Sequence, residues 1–134
     1  MILDSSIIIR SFRNKEFYNK IKDKIKDPKI TYITFYELLK GAFYKKYKYN
    51  DYINYAKILN ILKNIKIIKI RRIDIILSSK IWAKLKINGI EINDADIIIA
   101  AMCINRKEKL LTSDKDFEKI KNIYKDFNVE IIEV

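Results

Sequence analysis

Five short apolar runs, at residues 1–3, 30–33, 65–70, 109–111 and 129–132, are separated by longer stretches in which apolar residues return every three or four positions. The short runs suit strands and the longer ones helices. The helical stretches carry Ile9 and Phe12, then Phe17, Ile21 and Ile25, and continue at 35–47, 51–62, 74–86, 93–104 and 116–124. Asp27-Pro28 ends the second, because a residue before proline avoids helical angles. Gly89 suits a left-handed cap after the fifth. Strands that alternate with helices are joined by right-handed crossovers and build a mostly parallel sheet. The expected fold is therefore α/β, a three-layer sandwich with a short, mostly parallel central sheet and helices on both faces. The chain has 134 residues and shows no repeat or linker, which predicts a single domain over 1–134.

Composition removes several function classes. There is no His, so Ser/Cys-His triads, His proton transfer and most zinc sites are excluded. The single Cys103 lies in the apolar stretch 97–104, reads as a core side chain and rules out an internal disulfide. No run of about 18 uncharged residues appears. With an acid at position 4 and no basic leader, the first residues read as structure, so the expectation is a cytoplasmic protein without a membrane segment. The net charge of +11 favours a polyanionic partner. Its Lys bias runs along the whole chain, so genome composition or a heat-adapted surface is an alternative source.

In a parallel sheet of this kind ligands sit beyond the carboxyl ends of the strands. Asp4 follows the first run, Glu37 stands in the first helical turn after the second, and Thr112, Ser113, Asp114 and Asp116 follow the fourth. Asp96 opens the apolar helix. Any of these acids taken singly is a plausible N-cap. Glu37, set among Phe35, Tyr36, Leu38 and Leu39, and Asp96, followed by Ile97 to Ala101, are harder to read that way, because an ionised group among apolar neighbours needs compensation. Carboxylates that converge without a basic partner call for a cation, and an all-oxygen set suits Mg²⁺ or Mn²⁺. Such an ion serves phosphodiester hydrolysis, with the basic surface holding the backbone.

The segments "ILDSS", "ITFYELLKGA", "DADIIIAA" and "LLTSDKDF" together resemble, in order and spacing, the motifs of PIN-domain nucleases, particularly the VapC-type toxins of prokaryotic toxin–antitoxin pairs. The resemblance covers nearly the whole chain. It implies that Asp4, Glu37, Asp96 and Asp114 are catalytic and metal-binding, that Asp116 shares the fourth acid's role, and that Ser6 and Thr112 or Ser113 assist. Gly41 matches a small residue one turn after the glutamate, for which close helix packing is the expected reason. The implied activity is a Mg²⁺- or Mn²⁺-dependent endoribonuclease that leaves a 5′-phosphate and a 3′-hydroxyl, with tRNA or rRNA as targets. The implied partners are a second copy, giving a homodimer, and a cognate antitoxin protein. From the residues themselves, Lys45, Lys46 and Lys48 in "FYKKYKYNDYINY" and Arg71 and Arg72 after "KIIKI" are expected phosphate contacts, while the tyrosines of the first segment are expected to pack against a partner.

A phospho-acceptor receiver needs an acidic pair after its first strand and an Asp after its third, and a dehalogenase-type phosphatase needs Asp-x-Asp after the first. Ser6 and "IKIRR" supply neither pattern. Two other readings stay open from sequence: a housekeeping RNA-processing nuclease and a non-catalytic RNA-binding or interaction module of the same fold.

Overall fold

The computed structural model describes residues 1–133. Strands β1 (Ile2–Leu3), β2 (Lys29–Thr31), β3 (Lys66–Ile68), β4 (Leu110–Thr112) and β5 (Val129–Ile131) form one sheet in the order β3-β2-β1-β4-β5. Every pairing is parallel. The helices are α1 (Ser5–Arg13), α2 (Lys15–Ile21), α3 (Tyr32–Tyr49), α4 (Tyr52–Asn64), α5 (Arg72–Ile87), α6 (Asp94–Arg106) and α7 (Asp116–Ile123), with a 3-10 turn at Lys22–Lys24.

Adjacent strand residues point to opposite faces of a sheet, and that alternation divides the core in two. Ile2 and Leu110 pack with Ile81 and Leu85 of α5, Ile99 of α6 and Phe117 of α7. Leu3 and Leu111 pack with Ile7 of α1, Phe17 of α2, Leu38 of α3 and Ile58 of α4. This is the three-layer sandwich that the alternation of patterns predicts. Helix α6 is the most buried, with Ile97, Ile99, Ala100, Ala101, Met102 and Cys103 each no more than 2% exposed. Burial pushes the Cys103 thiol far up, in keeping with a core side chain rather than a nucleophile. Among the described residues no helix is long and apolar enough to cross a membrane.

Several boundaries differ from the sequence expectation, each for a local reason. The second strand ends at Thr31, not Ile33, because the Thr31 hydroxyl accepts a hydrogen bond from the Thr34 amide (3.1 Å) and caps α3. Glu37 consequently stands in the second turn of α3 instead of the first. Helix α5 begins at Arg72, two residues before Asp74, because the Asp74 carboxylate reaches back to the Arg71 amide (2.8 Å). Its end matches expectation: Gly89 has φ of 69° and Ile90 donates back to the Leu85 carbonyl (2.9 Å). The fourth strand takes in Thr112, which places that hydroxyl at the strand's end.

From β1 the chain steps outward to β2 and β3, then returns to pair β4 on the other side of β1. That reversal makes the carboxyl ends of β1 and β4 the topological switch point, where such sheets leave a crevice.

Candidate functional site

Asp4 leaves the end of β1 into this crevice and Asp114 follows β4. Asp4 is the N-cap of α1 by position, yet its side chain makes no capping hydrogen bond. Instead its Oδ2 accepts from the hydroxyls of Ser6 and Thr112, both at 2.8 Å. The carboxylate is thus held by α1 and β4 at once. Thr112 also accepts from the Asp114 amide (3.0 Å), and Ser6 accepts from the Ser113 amide (3.1 Å), so these two hydroxyls fasten the start of α1 to the loop that carries the fourth acid. The Ser113 hydroxyl itself accepts from Arg10 Nε (3.0 Å).

Asp96 is not the cap of α6. That role falls to Asn93, whose Oδ1 accepts from the Asp96 amide (2.9 Å) while its Nδ2 donates to Asp96 Oδ2 (2.9 Å). The Asp96 side chain therefore faces the crevice from the first turn of the most buried helix, 7% exposed. Glu37 approaches from α3, half-buried, and accepts from Ser5 Oγ (3.3 Å). Asp114 uses Oδ1 to accept from the Asp116 amide (2.9 Å), which orients it at the start of α7.

Asp4, Glu37, Asp96 and Asp114 line one open cavity of about 650 Å³, together with Ser5, Ser6, Arg10, Arg13 and Asn93. Among the described residues none of the four carboxylates has a salt bridge. Three of them hold their protons more tightly than a free carboxylate does. Burial, aided by the charges of Asp4 and Asp114, pushes Asp96 up to about 7 against the opposing hydrogen bond from Asn93. Burial raises Glu37, and the neighbouring Asp4 adds to it. Burial also raises Asp4, although the Thr112 and Ser6 hydroxyls pull in the other direction.

Asp96, Asp114 and Asp116 each present an oxygen, and the three lie within 4.8 Å of one another. The Asp116 side chain is 44% exposed and also pairs with Lys119 at 3.2 Å. The donors are all hard oxygens, carry excess negative charge and are pre-oriented by hydroxyls and amides. That is the donor chemistry of a Mg²⁺ or Mn²⁺ site, so the residues fit such an ion.

Other sequence-selected residues fall elsewhere. Lys45 borders a neighbouring groove that also touches Glu37. Lys46 lies over the Tyr55 ring (4.2 Å), and Lys48 donates to the Tyr44 hydroxyl (2.9 Å). Arg71 stands 3.6 Å from Asp74, and Arg72 is exposed at the start of α5. Gly41 corrects an expectation. A Cβ there would meet nothing within 4 Å, so close helix packing does not explain the glycine. It opens onto the groove beside Glu37 and Lys45. Ser5, Arg10, Arg13 and Asn93 also line the cavity, although none of them stands among the expected site residues. A signal for the arginines was present: with Ser6 they stand at i, i+4 and i+7 of α1, which is one helix face.

The profile of the PIN domain matches residues 1–123, and the chain belongs to the PIN-domain family, a family of nucleases. Its fold is shared with solved toxin–antitoxin complexes. VapBC2 from Rickettsia felis, bound to a DNA fragment from its promoter, superposes with a TM-score of 0.79 at 22% identity, covering 98% of each chain. VapBC-1 from nontypeable Haemophilus influenzae gives 0.76 at 23% identity, over 97% of this chain and 96% of that one. VapBC-5 from Mycobacterium tuberculosis gives 0.73 at 19% identity, over 99% and 97%. No curated protein sequence matches the chain.

Proposed function

We propose that the protein is a Mg²⁺- or Mn²⁺-dependent endoribonuclease and the toxin of a VapBC-type toxin–antitoxin pair. The observation that carries this reading is the convergence of Asp4, Glu37, Asp96 and Asp114, from four separate segments, on one cavity without a salt bridge. Repelling carboxylates are retained at a cost in stability, and a site that binds a cation is the physical reason to keep them. Asp4, Glu37, Asp96 and Asp114 would hold the ion, with Asp116 beside Asp114. When bound, such an ion supplies Lewis acidity and positive charge to a phosphodiester.

The chain's own residues do the positioning. Ser6 and Thr112 fix the orientation of Asp4, Ser5 that of Glu37, Asn93 that of Asp96, and the Asp116 amide that of Asp114. The excess of basic residues gives the surroundings a field that attracts the RNA backbone while the cavity itself stays acidic. The proposed products carry a 5′-phosphate and a 3′-hydroxyl, and tRNA or rRNA is the proposed target. A cytoplasmic homodimer silenced by an antitoxin completes the reading, supported by the shared fold with VapBC toxin–antitoxin complexes.

The test is incubation with total RNA in Mg²⁺, in Mn²⁺ and in EDTA, with the new ends mapped. Cleavage is expected with metal and not with EDTA. Asp4→Asn and Asp96→Asn should lose more than about a hundredfold, since changing even an outer partner of a metal ligand costs about 10–100-fold. Undiminished cutting by either folded variant overturns the assignment.

A further inference from the structure

Two cations reach the carboxylate cavity, and both come from α1. Arg10 and Arg13 share the face of Ser6 and line the same cavity as Asp4, Glu37, Asp96 and Asp114. They stand close enough to share that lining, yet among the described residues neither forms a salt bridge with any acid. Arg10 is oriented by the bond from Nε to the Ser113 hydroxyl (3.0 Å), the only side-chain hydrogen bond it makes among the described residues. Its terminal nitrogens are left for another acceptor. Arg13 lies at a junction, because it also lines the neighbouring groove with Lys45 and Asn54. Arg10, Arg13 and Lys45 thus border one connected flank, whereas the loop before α6 contributes only Asn93 to the cavity lining.

Basic residues in the last turn of a helix also complement its dipole. That role needs only a charge at the helix end. It calls neither for two guanidiniums on the face that borders the acids nor for a fork held by Ser113. A planar guanidinium presents paired donors that match phosphate oxygens.

We propose that Arg10 and Arg13 form a two-point phosphate anchor for a single RNA strand, gripping it along the α1 flank. Phosphates next to the scissile one sit on the guanidiniums, and the scissile phosphate is thereby held against the carboxylates. The proposal rests on the nuclease reading above and assigns the substrate grip to residues other than Lys46, Lys48 and Arg71.

The test is steady-state cleavage of a short fluorescent single-stranded RNA in the activating metal, across a salt series. Arg10→Ala and Arg13→Ala are each expected to raise KM roughly tenfold, the scale of one hydrogen bond to a charged group, with kcat held. Each should also flatten the dependence of log KM on log salt by about 0.7, the increment for one phosphate contact on a single strand. Lys substitutions should restore the salt slope and only part of the affinity. Lys63→Ala and Lys80→Ala, exposed charges that do not line the cavity, serve as charge-matched controls. Both arginines are exposed, and thermal melts verify that the variants remain folded. The anchor is overturned if the arginine variants match the lysine controls in KM and slope. It is also overturned if kcat falls at unchanged KM and Ser113→Ala reproduces Arg10→Ala, because Arg10 then only tethers the loop before Asp114. Failure of wild-type protein to cut RNA overturns the nuclease reading and the anchor together, whereas failure of the anchor alone leaves wild-type cutting intact.

Discussion

The two ends of helix α6 each hold a buried carboxylate, with opposite consequences. At the first turn Asp96 meets Asn93 and three other acids, and burial pushes it up to about 7. At the last turn Asp74 of α5, with no exposed side-chain surface, accepts from Asn105 Nδ2 (2.9 Å) and the Arg71 amide (2.8 Å) and pairs with Arg106 (3.2 Å). Burial raises Asp74 too, but Asn105, Arg71 and Arg106 together outweigh it and leave the group below the usual carboxylate range. Arg106 also donates to the Lys69 carbonyl (2.8 Å), so the second cluster ties α5, α6 and the segment after β3 together. Both groups are buried, Asp74 at 0% and Asp96 at 7% exposed, and what separates them is the company they keep. A buried charge whose partners are supplied by the chain is architecture. A buried charge surrounded by like charges is an open valence toward something the chain lacks.

Asp74→Ala strikes the paired end and should produce the largest change in stability. It leaves the Arg106 guanidinium without its partner in a mostly buried position, which costs about 3–5 kcal/mol. Asp96→Asn in EDTA should cost nothing or stabilise, because it removes a repelled charge. Denaturant melts of the two variants check this, and comparable losses at both positions would break the contrast.

Divalent metal should sharpen it. Mg²⁺ or Mn²⁺ at one hundred times its dissociation constant is expected to stabilise the wild type by about 2.7 kcal/mol. Asp74→Ala should gain a similar increment, while Asp96→Asn gains far less. Thermal melts with EDTA and with Mn²⁺ read the difference. Equal responses from all three proteins would remove the metal from the account.

A smaller effect is expected from pH, with opposite signs at the two ends. The folded-state value of Asp96 lies above its ordinary 3.8, so the folded protein binds this proton more tightly than the unfolded chain does. The penalty of ionising Asp96 is absent below about pH 4, grows as pH rises toward about 7, and is constant above that. Asp74 lies below its ordinary value, so its stabilisation is present above about pH 4 and is lost as pH falls further. In EDTA, the stability of Asp96→Asn relative to wild type should therefore climb between about pH 4 and 7. That of Asp74→Ala should stay level over this range and recover toward wild type only in stronger acid. A flat Asp96→Asn difference would mean that water entering the open cavity screens the carboxylates fully.

The sequence by itself determined the alternation of strands and helices, the burial of α6 and the acids that follow β1 and β4, because period-two and period-3.6 patterns are local and survive without coordinates. It also marked Asp96 as anomalous, since Ile97 to Ala101 leave a carboxylate no solvated face. Only the tertiary structure decided the rest. The strand order returns β4 to the side of β1, and that step, invisible in the one-dimensional pattern, brings Thr112 onto Asp4 across more than one hundred residues of chain. It separated Asn93 as the cap from Asp96 as the free acid, a distinction among neighbouring polar residues that capping preference alone leaves ambiguous. It placed Arg10 and Arg13 beside the carboxylates while Lys46, Lys48 and Arg71 settled on tyrosines and Asp74. In a chain with 28 basic residues, charge identifies candidates, and only the packing of helices on the sheet decides which of them meet the site.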